Sequence, residues 1–231
     1  MNETVSILLP VRNAEITLRR SVDSVLQQTY DNFELVCIVN DSTDDSEKML
    51  SSYKDNRISV IHSSAGIVPA LNAGLKFSNS KFVARQDADD CWYPTKLQKQ
   101  IEFMNNNEDC DILGVQIRSV NINYEIIEQE PSRPVHDPEI KQALLSGWNV
   151  IPHPGVLFRR RIMEKLGGYD DTFLFAEDYS LWLRAIQWYR FANLNEILID
   201  YTSKHNAKYD HRVPQFLCSV FRAFYGVKNG S

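Results

Sequence analysis

Phe82-Val-Ala-Arg-Gln-Asp-Ala-Asp-Asp90 runs from a short apolar strand straight into three carboxylates within four residues. Carboxylates placed this closely repel one another unless a cation or hydrogen-bond donors compensate. A hard divalent ion with oxygen ligands is the natural compensation, and nucleoside diphosphates bring such ions with them. Alone, Asp87-Ala-Asp-Asp90 reads equally well as a solvated Asp-rich turn. The strand before it and the pattern around it decide between the two.

Upstream, strand and helix signals alternate. Val5–Val11 is an apolar run that suits a strand buried on both faces. Residues 14–28 carry Ile16, Leu18, Val22, Val25 and Leu26 at close to helical spacing. Phe33–Val39 is a second strand. Ser42, with Asp45 three residues on, reads as the N-cap of a helix containing Met49 and Leu50. Residues 58–61 form a third strand, a loop with Gly66 leads to a helix over 69–77, and 82–84 begin a fourth strand. This order predicts an α/β fold, a Rossmann-like, mostly parallel sheet flanked by helices with right-handed crossovers. Such sheets bind ligands at the carboxyl ends of their strands. Arg12 and Asn13, Asn40 and Asp41, and residues 86–90 all follow strands and supply polar groups to that rim.

After Pro94 the pattern changes. A helix is expected over 95–104 and an extended segment over Ile112–Val120. Residues 128–138, with Pro131, Pro134 and Pro138, read as a loop. Residues 150–188 mix a short strand, a Gly167-Gly168 turn and a helix. With no internal repeat, low-complexity tract or flexible linker, the chain reads as one domain in two parts.

The 231 residues carry a net charge of −5, which gives no reason to expect nucleic acid as a partner. Cys37, Cys91, Cys110 and Cys218 lack metal-ligand spacing and read as reduced thiols of a cytosolic protein. Asn2, Glu3 and Arg12 interrupt any signal peptide, and no run of about 18 apolar residues is present. The expected location is therefore cytoplasmic.

Other constellations have two readings each. Asp41 suits either a helix cap or an acceptor for a uracil imide or a ribose hydroxyl. Glu177-Asp178 sits in an apolar frame, Phe173-Leu-Phe175 before it and Leu181-Trp-Leu183 after. Acids are favoured at a helix N-terminus, but a carboxylate among apolar side chains also gains the raised pKa of a general base. His153, among prolines, reads first as part of a turn. Lys204, His205, Lys208, His211 and Arg212 form a basic run that either stays solvated or neutralises a diphosphate leaving group. Phe216, Leu217, Val220, Phe221 and Phe224 share one helical face, suited to packing on the domain or to a membrane surface.

Together these pieces resemble glycosyltransferase family 2, the large inverting family with the GT-A fold. The resemblance covers roughly residues 4–205 in order. It is carried by Val5-Ser-Ile-Leu-Leu-Pro-Val-Arg-Asn13 with Glu15, by Val39-Asn-Asp-Ser-Thr-Asp-Asp-Ser46, and by Gly66 with Ala70-Leu-Asn-Ala-Gly74. It continues through Ala84-Arg-Gln-Asp-Ala-Asp-Asp90, His153-Pro-Gly155, Gly167-Gly-Tyr-Asp170 and Glu177-Asp-Tyr-Ser-Leu-Trp-Leu-Arg184. Leu71 stands where the family often has an arginine.

The resemblance implies a nucleotide-sugar donor half over about 1–93, an acceptor half over about 94–205 and a helical tail over about 206–231. It implies that Pro10, Val11, Asn13 and Glu15 lie near the nucleoside and that Asp41 holds the base. Asn72, Arg85, Asp87 and Ala88 would belong to the donor site. Asp89 would bind Mn2+ or Mg2+ on the diphosphate. Asp178 would be the catalytic base, with Glu177 and His153 supporting it, Trp182 lining the acceptor sugar and His205 reaching the diphosphate. The implied partners are a nucleotide-sugar, by family a UDP-sugar, and a glycan or lipid-linked glycan acceptor of bacterial surface polysaccharide synthesis. Peripheral association with the inner face of the membrane would suit such an acceptor. Two other readings compete. A nucleotidyltransferase would need a Gly-rich, basic loop after the first strand, yet residues 7–14 contain no glycine. A non-catalytic glycan-binding module would be expected to have lost its acids, yet Asp41, Asp87, Asp89 and Asp178 are all present.

Overall fold

Alternating apolar residues fill both faces of the central strands, and that places one sheet between two layers of helices. The computed structural model describes residues 3–128, 130–173 and 176–203. In β1 (Val5–Val11) every residue is buried; Val5, Ile7, Leu9 and Val11 pack in one core and Leu8 in the other. β2 (Phe33–Val39) divides likewise, with Leu35 and Cys37 on one side and Val36 and Ile38 on the other. Around these run α1 (Leu18–Leu26), α2 (Ser46–Ser51), β3 (Ile58–His62), α3 (Ile67–Phe77) and β4 (Phe82–Arg85). β3, β2, β1 and β4 are adjacent and parallel, as the alternating pattern predicts.

The second half completes the same sheet. It comprises β5 (Cys91–Trp92), α4 (Lys96–Asn106), β6 (Ile112–Val120), β7 (Ile126–Glu128), α5 (Asp137–Ser146), β8 (Leu157–Arg159), α6 (Arg161–Leu166), α7 (Glu177–Ala185) and β9 (Phe191–Thr202). The strand order is β3-β2-β1-β4-β8-β6-β9-β5, with β7 on β6. β8 runs antiparallel to both β4 and β6, and β9 runs parallel to β6. The α/β sheet with a largely parallel run is as the sequence implies, and it is mixed because β5, β7 and β8 run against the rest. Reversing β8 has a further effect: β6 and β9 point the same way as β1, β2, β3 and β4, so six of the described strands end at one edge.

Three local expectations change. Ser42 caps no helix; its hydroxyl donates to the Val11 carbonyl at 3.2 Å, and the helix begins at Ser46. α1 begins at Leu18, leaving Ile16 80% exposed before it. The proline-rich stretch gives way to α5 at Asp137. No helix among the described residues is long and apolar enough to cross a membrane.

Candidate active site

Because these strands end together, the segments that follow them meet in one cleft of about 1080 Å³. Arg12, Asn13 and Glu15 follow β1, Asn40 follows β2, and Asp87, Ala88 and Asp89 follow β4. Asn121 and Ile122 follow β6, and Thr202 and Ser203 close the far side at the end of β9.

The acidic loop is held from two directions. Gln86 N–H extends the ladder to the Leu8 carbonyl at 3.0 Å. The buried Ser21 hydroxyl on α1 donates to the Asp87 carbonyl at 2.6 Å, and Gln86 Nε2 donates to that same hydroxyl at 3.1 Å. From β9, Thr202 N–H donates to Asp90 Oδ1 at 2.7 Å, and its hydroxyl donates to the Asp89 carbonyl at 2.5 Å. Asp87 pairs with the buried guanidinium of Arg85. Burial opposes the charge on Arg85, but Asp87 and its neighbours outweigh burial and keep the group protonated. Burial, then Asp87 and Asp89, push the Asp90 carboxyl well above the usual range.

Carboxylate oxygens of Asp87, Asp89 and Asp90 lie within 4.8 Å of one another. Asp90 Oδ2 is buried with no hydrogen-bond partner among the described residues. Among these acids Asp87 is paired with Arg85, and hard oxygen donors at this spacing suit Mg2+ or Mn2+. The donor set therefore fits a divalent ion held at Asp89 with its neighbours.

Beside the Arg85–Asp87 pair stand the acids of α7. Asp178 is half-buried and accepts from Asn149 Nδ2 at 2.8 Å. Burial raises its pKa against the opposing pull of that bond and of the Tyr179 N–H. Burial, then Asp178, push the Glu177 carboxyl up to about 7. Glu177 also feels Arg85 and Asp87, so the α7 acids and the acidic loop share one electrostatic environment. His153 lies behind them in a 3₁₀ turn that β8 places at this edge. Burial and the Arg85 cation hold its imidazole well below the ordinary value, leaving it neutral. His153 Nε2 is 3.0 Å from the Tyr169 hydroxyl, and its Nδ1 is 3.9 Å from Glu177 Oε1.

Comparison with known proteins decides which chemistry this geometry serves. A family model described as glycosyl transferase family 2 matches residues 6–167. The chain belongs to glycosyl transferase family 2. The O-antigen biosynthesis glycosyltransferase WbnJ of Escherichia coli is 31% identical over 226 residues, 95% of this chain and 87% of that protein. The E. coli UDP-Glc:alpha-D-GlcNAc-diphosphoundecaprenol beta-1,3-glucosyltransferase WfgD is 30% identical over 187 residues, 79% of this chain and 70% of its own length. S. aureus TarS 1–349 in complex with UDP-GlcNAc superposes with a TM-score of 0.74 at 18% identity, covering 95% of this chain and 66% of that one. The mannosyltransferase PcManGT from Pyrobaculum calidifontis, in complex with GDP-Man and Mn2+, gives 0.72 at 18% identity, covering 100% and 66%. The shared fold is GT-A.

Set on this family 2 scaffold, the expected residues fall into three groups. Pro10, Asn13, Glu15, Asp87, Ala88 and Asp89 line the cleft, and Arg85, His153, Glu177 and Asp178 gather beside it. A second group supports the site without lining it. Val11 is fully buried, and only its carbonyl, bonded to Asn40 and Ser42, faces the loop. Trp182 is 0% exposed and packs edge-on to His153 at 6.3 Å, so it backs the acid pair rather than presenting a face to a sugar. Asn72 clasps the backbone of Tyr169, donating to its carbonyl at 2.9 Å and accepting from its N–H at 3.0 Å. That clasp needs a glycine before Tyr169, because a Cβ on Gly168 would lie 2.7 Å from Asn72 Oδ1. Asp41 is the third case. It adopts a left-handed φ of 65°, pairs with Arg12 at 3.6 Å and is exposed outside the cleft lining, while Asn40 before it lies within. His205 and the helical tail fall outside the described residues. Thr202, Asn121 and Asn149 also serve the site, outside any reading of the sequence. No motif marks them, since β6 and β9 bring the first two to the cleft only through tertiary pairing.

Proposed function

We propose that the chain transfers a sugar, with inversion, from a UDP-sugar to a hydroxyl of a glycan or lipid-linked glycan in surface polysaccharide synthesis. The observation that carries this reading is the meeting of two acid clusters around Arg85. One is suited to a cation and a diphosphate, the other to a proton. Relatives that act in O-antigen synthesis and on a diphosphoundecaprenol-linked sugar support the acceptor class, and structures holding UDP-GlcNAc and GDP-Man support the donor class.

The acceptor hydroxyl gives its proton to the Asp178 carboxylate as its oxygen forms a bond to the anomeric carbon. The bond from that carbon to the diphosphate oxygen breaks, and the nucleoside diphosphate leaves with the electron pair. Attack from the face opposite the leaving group inverts the anomeric centre. When bound at Asp89 and its neighbours, Mg2+ or Mn2+ supplies Lewis-acid stabilisation of the departing diphosphate. Ser21 and Thr202 hold the loop that places these acids, and Asn149 orients Asp178. Asp41, just outside the cleft lining and beside Arg12, accepts the imide N–H of a uracil that reaches past Asn40; CDP competing as well as UDP would reject that role. The overall reading is tested by incubating the protein with Mn2+, a panel of UDP- and GDP-sugars and short glycosides. Proton NMR of any product should show a β-glycoside from an α-linked donor. A product retaining the donor's configuration contradicts the mechanism.

A further inference from the structure

A second cleft, of about 630 Å³, opens beside α5 and shares no lining residue with the first. Arg133 forms its buried floor. Glu139, Gln142 and Asn195 stand exposed on its rim beside Trp148, a residue 42% exposed.

The surrounding backbone is fixed by buried amides. Gln116 bonds both main-chain groups of Arg133, accepting from its N–H at 2.8 Å and donating to its carbonyl at 3.1 Å. Asn193 Nδ2 donates to the Pro134 carbonyl at 2.7 Å and to the Val150 carbonyl at 3.1 Å. The strip carrying Arg133 and the strip carrying Trp148 are therefore strapped to one side chain. The guanidinium is held less tightly. Nη2 donates to Glu130 at 3.2 Å, while Nε and Nη1, both covered, have no partner among the described residues. Buried donors without partners are costly, so this floor keeps positive charge under the cleft that an acceptor group above it would meet favourably.

An exposed tryptophan ringed by amides and a carboxylate above a buried guanidinium matches a pyranose. The apolar C–H face of the sugar covers the indole, and its equatorial hydroxyls meet donors and acceptors at the rim. A bare phosphate would leave Trp148 unused and meet Glu139 with like charge. The adjoining residue links the cleft to the chemistry, because Asn149 holds Asp178 at 2.8 Å. We propose that this cleft is a subsite for a hexopyranose of the acceptor glycan, stacked on Trp148 and bonded by Gln142 and Asn195 above the Arg133 floor. The inference rests on the proposed glycan acceptor.

The full chain labelled with 5-fluorotryptophan provides the test, with the Trp148 resonance assigned from Trp148→Phe. The probes are methyl glycosides of glucose, galactose, mannose and N-acetylglucosamine, titrated to about 100 mM because single-sugar contacts give millimolar affinity. At least one should move the Trp148 resonance saturably while those of the buried Trp92 and Trp182 stay still. Gln142→Ala with Asn195→Ala, both at exposed positions, should weaken that binding about tenfold, the loss expected for two rim hydrogen bonds. No shift with any glycoside, or a shift unchanged in the double variant, overturns the subsite. UDP with Mn2+ is titrated in parallel: UDP binding without a glycoside response rejects the subsite alone, and loss of UDP binding rejects the reading of the main cleft.

Discussion

In the proposed mechanism Asp178 takes the proton that an acceptor hydroxyl gives up as its oxygen attacks, so removing the carboxylate should slow turnover and spare donor binding. Positioned proton transfer is worth about 10² to 10⁴ in rate. Asp178→Asn keeps the shape and the bond from Asn149, and turnover should fall by that factor with UDP affinity nearly unchanged. Near-normal turnover would remove Asp178 from the role and leave Glu177 as the base. Glu177 itself leaves a mark on stability. Its carboxyl is raised from 4.5 to about 7 by burial and by Asp178. A raised acid contributes stability that is fully present below its unfolded pKa and is lost as pH rises through the folded one, here between 4.5 and about 7. Glu177→Gln, neutral at every pH, should match the wild type near pH 4.5 and exceed it above neutrality by up to about 3 kcal/mol. Thermal melts across that range check the sign. A variant less stable than wild type at about pH 8 would contradict it.

At the scale of elements, β9 holds the second half to the first, and its contacts are less forgiving than its sequence implies. Gly114 on β6 faces Asn193 on β9, and a Cβ there would overlap the Asn193 amide oxygen. The overlap would push Asn193 off the Pro134 and Val150 carbonyls, leaving buried acceptors unpaired. Gly114→Ala should therefore cost about 2 to 4 kcal/mol, a fall of roughly 5–15 °C in Tm for a chain of this size, with UDP affinity preserved. An unchanged Tm would show that the strap is dispensable. β9 also marks where sequence reading stops. Val5–Val11 and Phe33–Val39 are apolar throughout because both their faces are covered, and they are legible from sequence to the residue. Phe191–Thr202 is interrupted by exposed Asn195, Glu196 and Ile197 where its register with β6 slips, so neither alternation nor an apolar run announces it. α5 was hidden by the prolines before it. The same limit applied to the site. Acids grouped along the chain, as in Asp87-Ala-Asp-Asp90 and Glu177-Asp178, stood out; Thr202 and Asn149, brought in by folding, did not. Trp182 looked like a sugar platform because aromatic type was readable and burial was not.

For the whole molecule, one direction of strand travel explains the cleft. Six of the strands run the same way, so the groups that follow β1, β2, β4, β6 and β9 converge, and the reversed β8 delivers His153 to the same edge. Family 2 membership and the shared GT-A fold fit this geometry, and the proposed chemistry follows from which charges the edge collects. The acids at Asp87, Asp89 and Asp90 are the decisive groups, because a nucleoside diphosphate brings negative charge to clustered carboxyl oxygens. Binding should then require a divalent ion. Calorimetric titration of UDP into the full chain, with Mn2+ and then with EDTA, measures this directly. Tight binding with Mn2+ that weakens at least tenfold in EDTA, a change of about 1.4 kcal/mol, is the predicted result. Equal affinity in the two conditions, or no UDP binding in either, would contradict it.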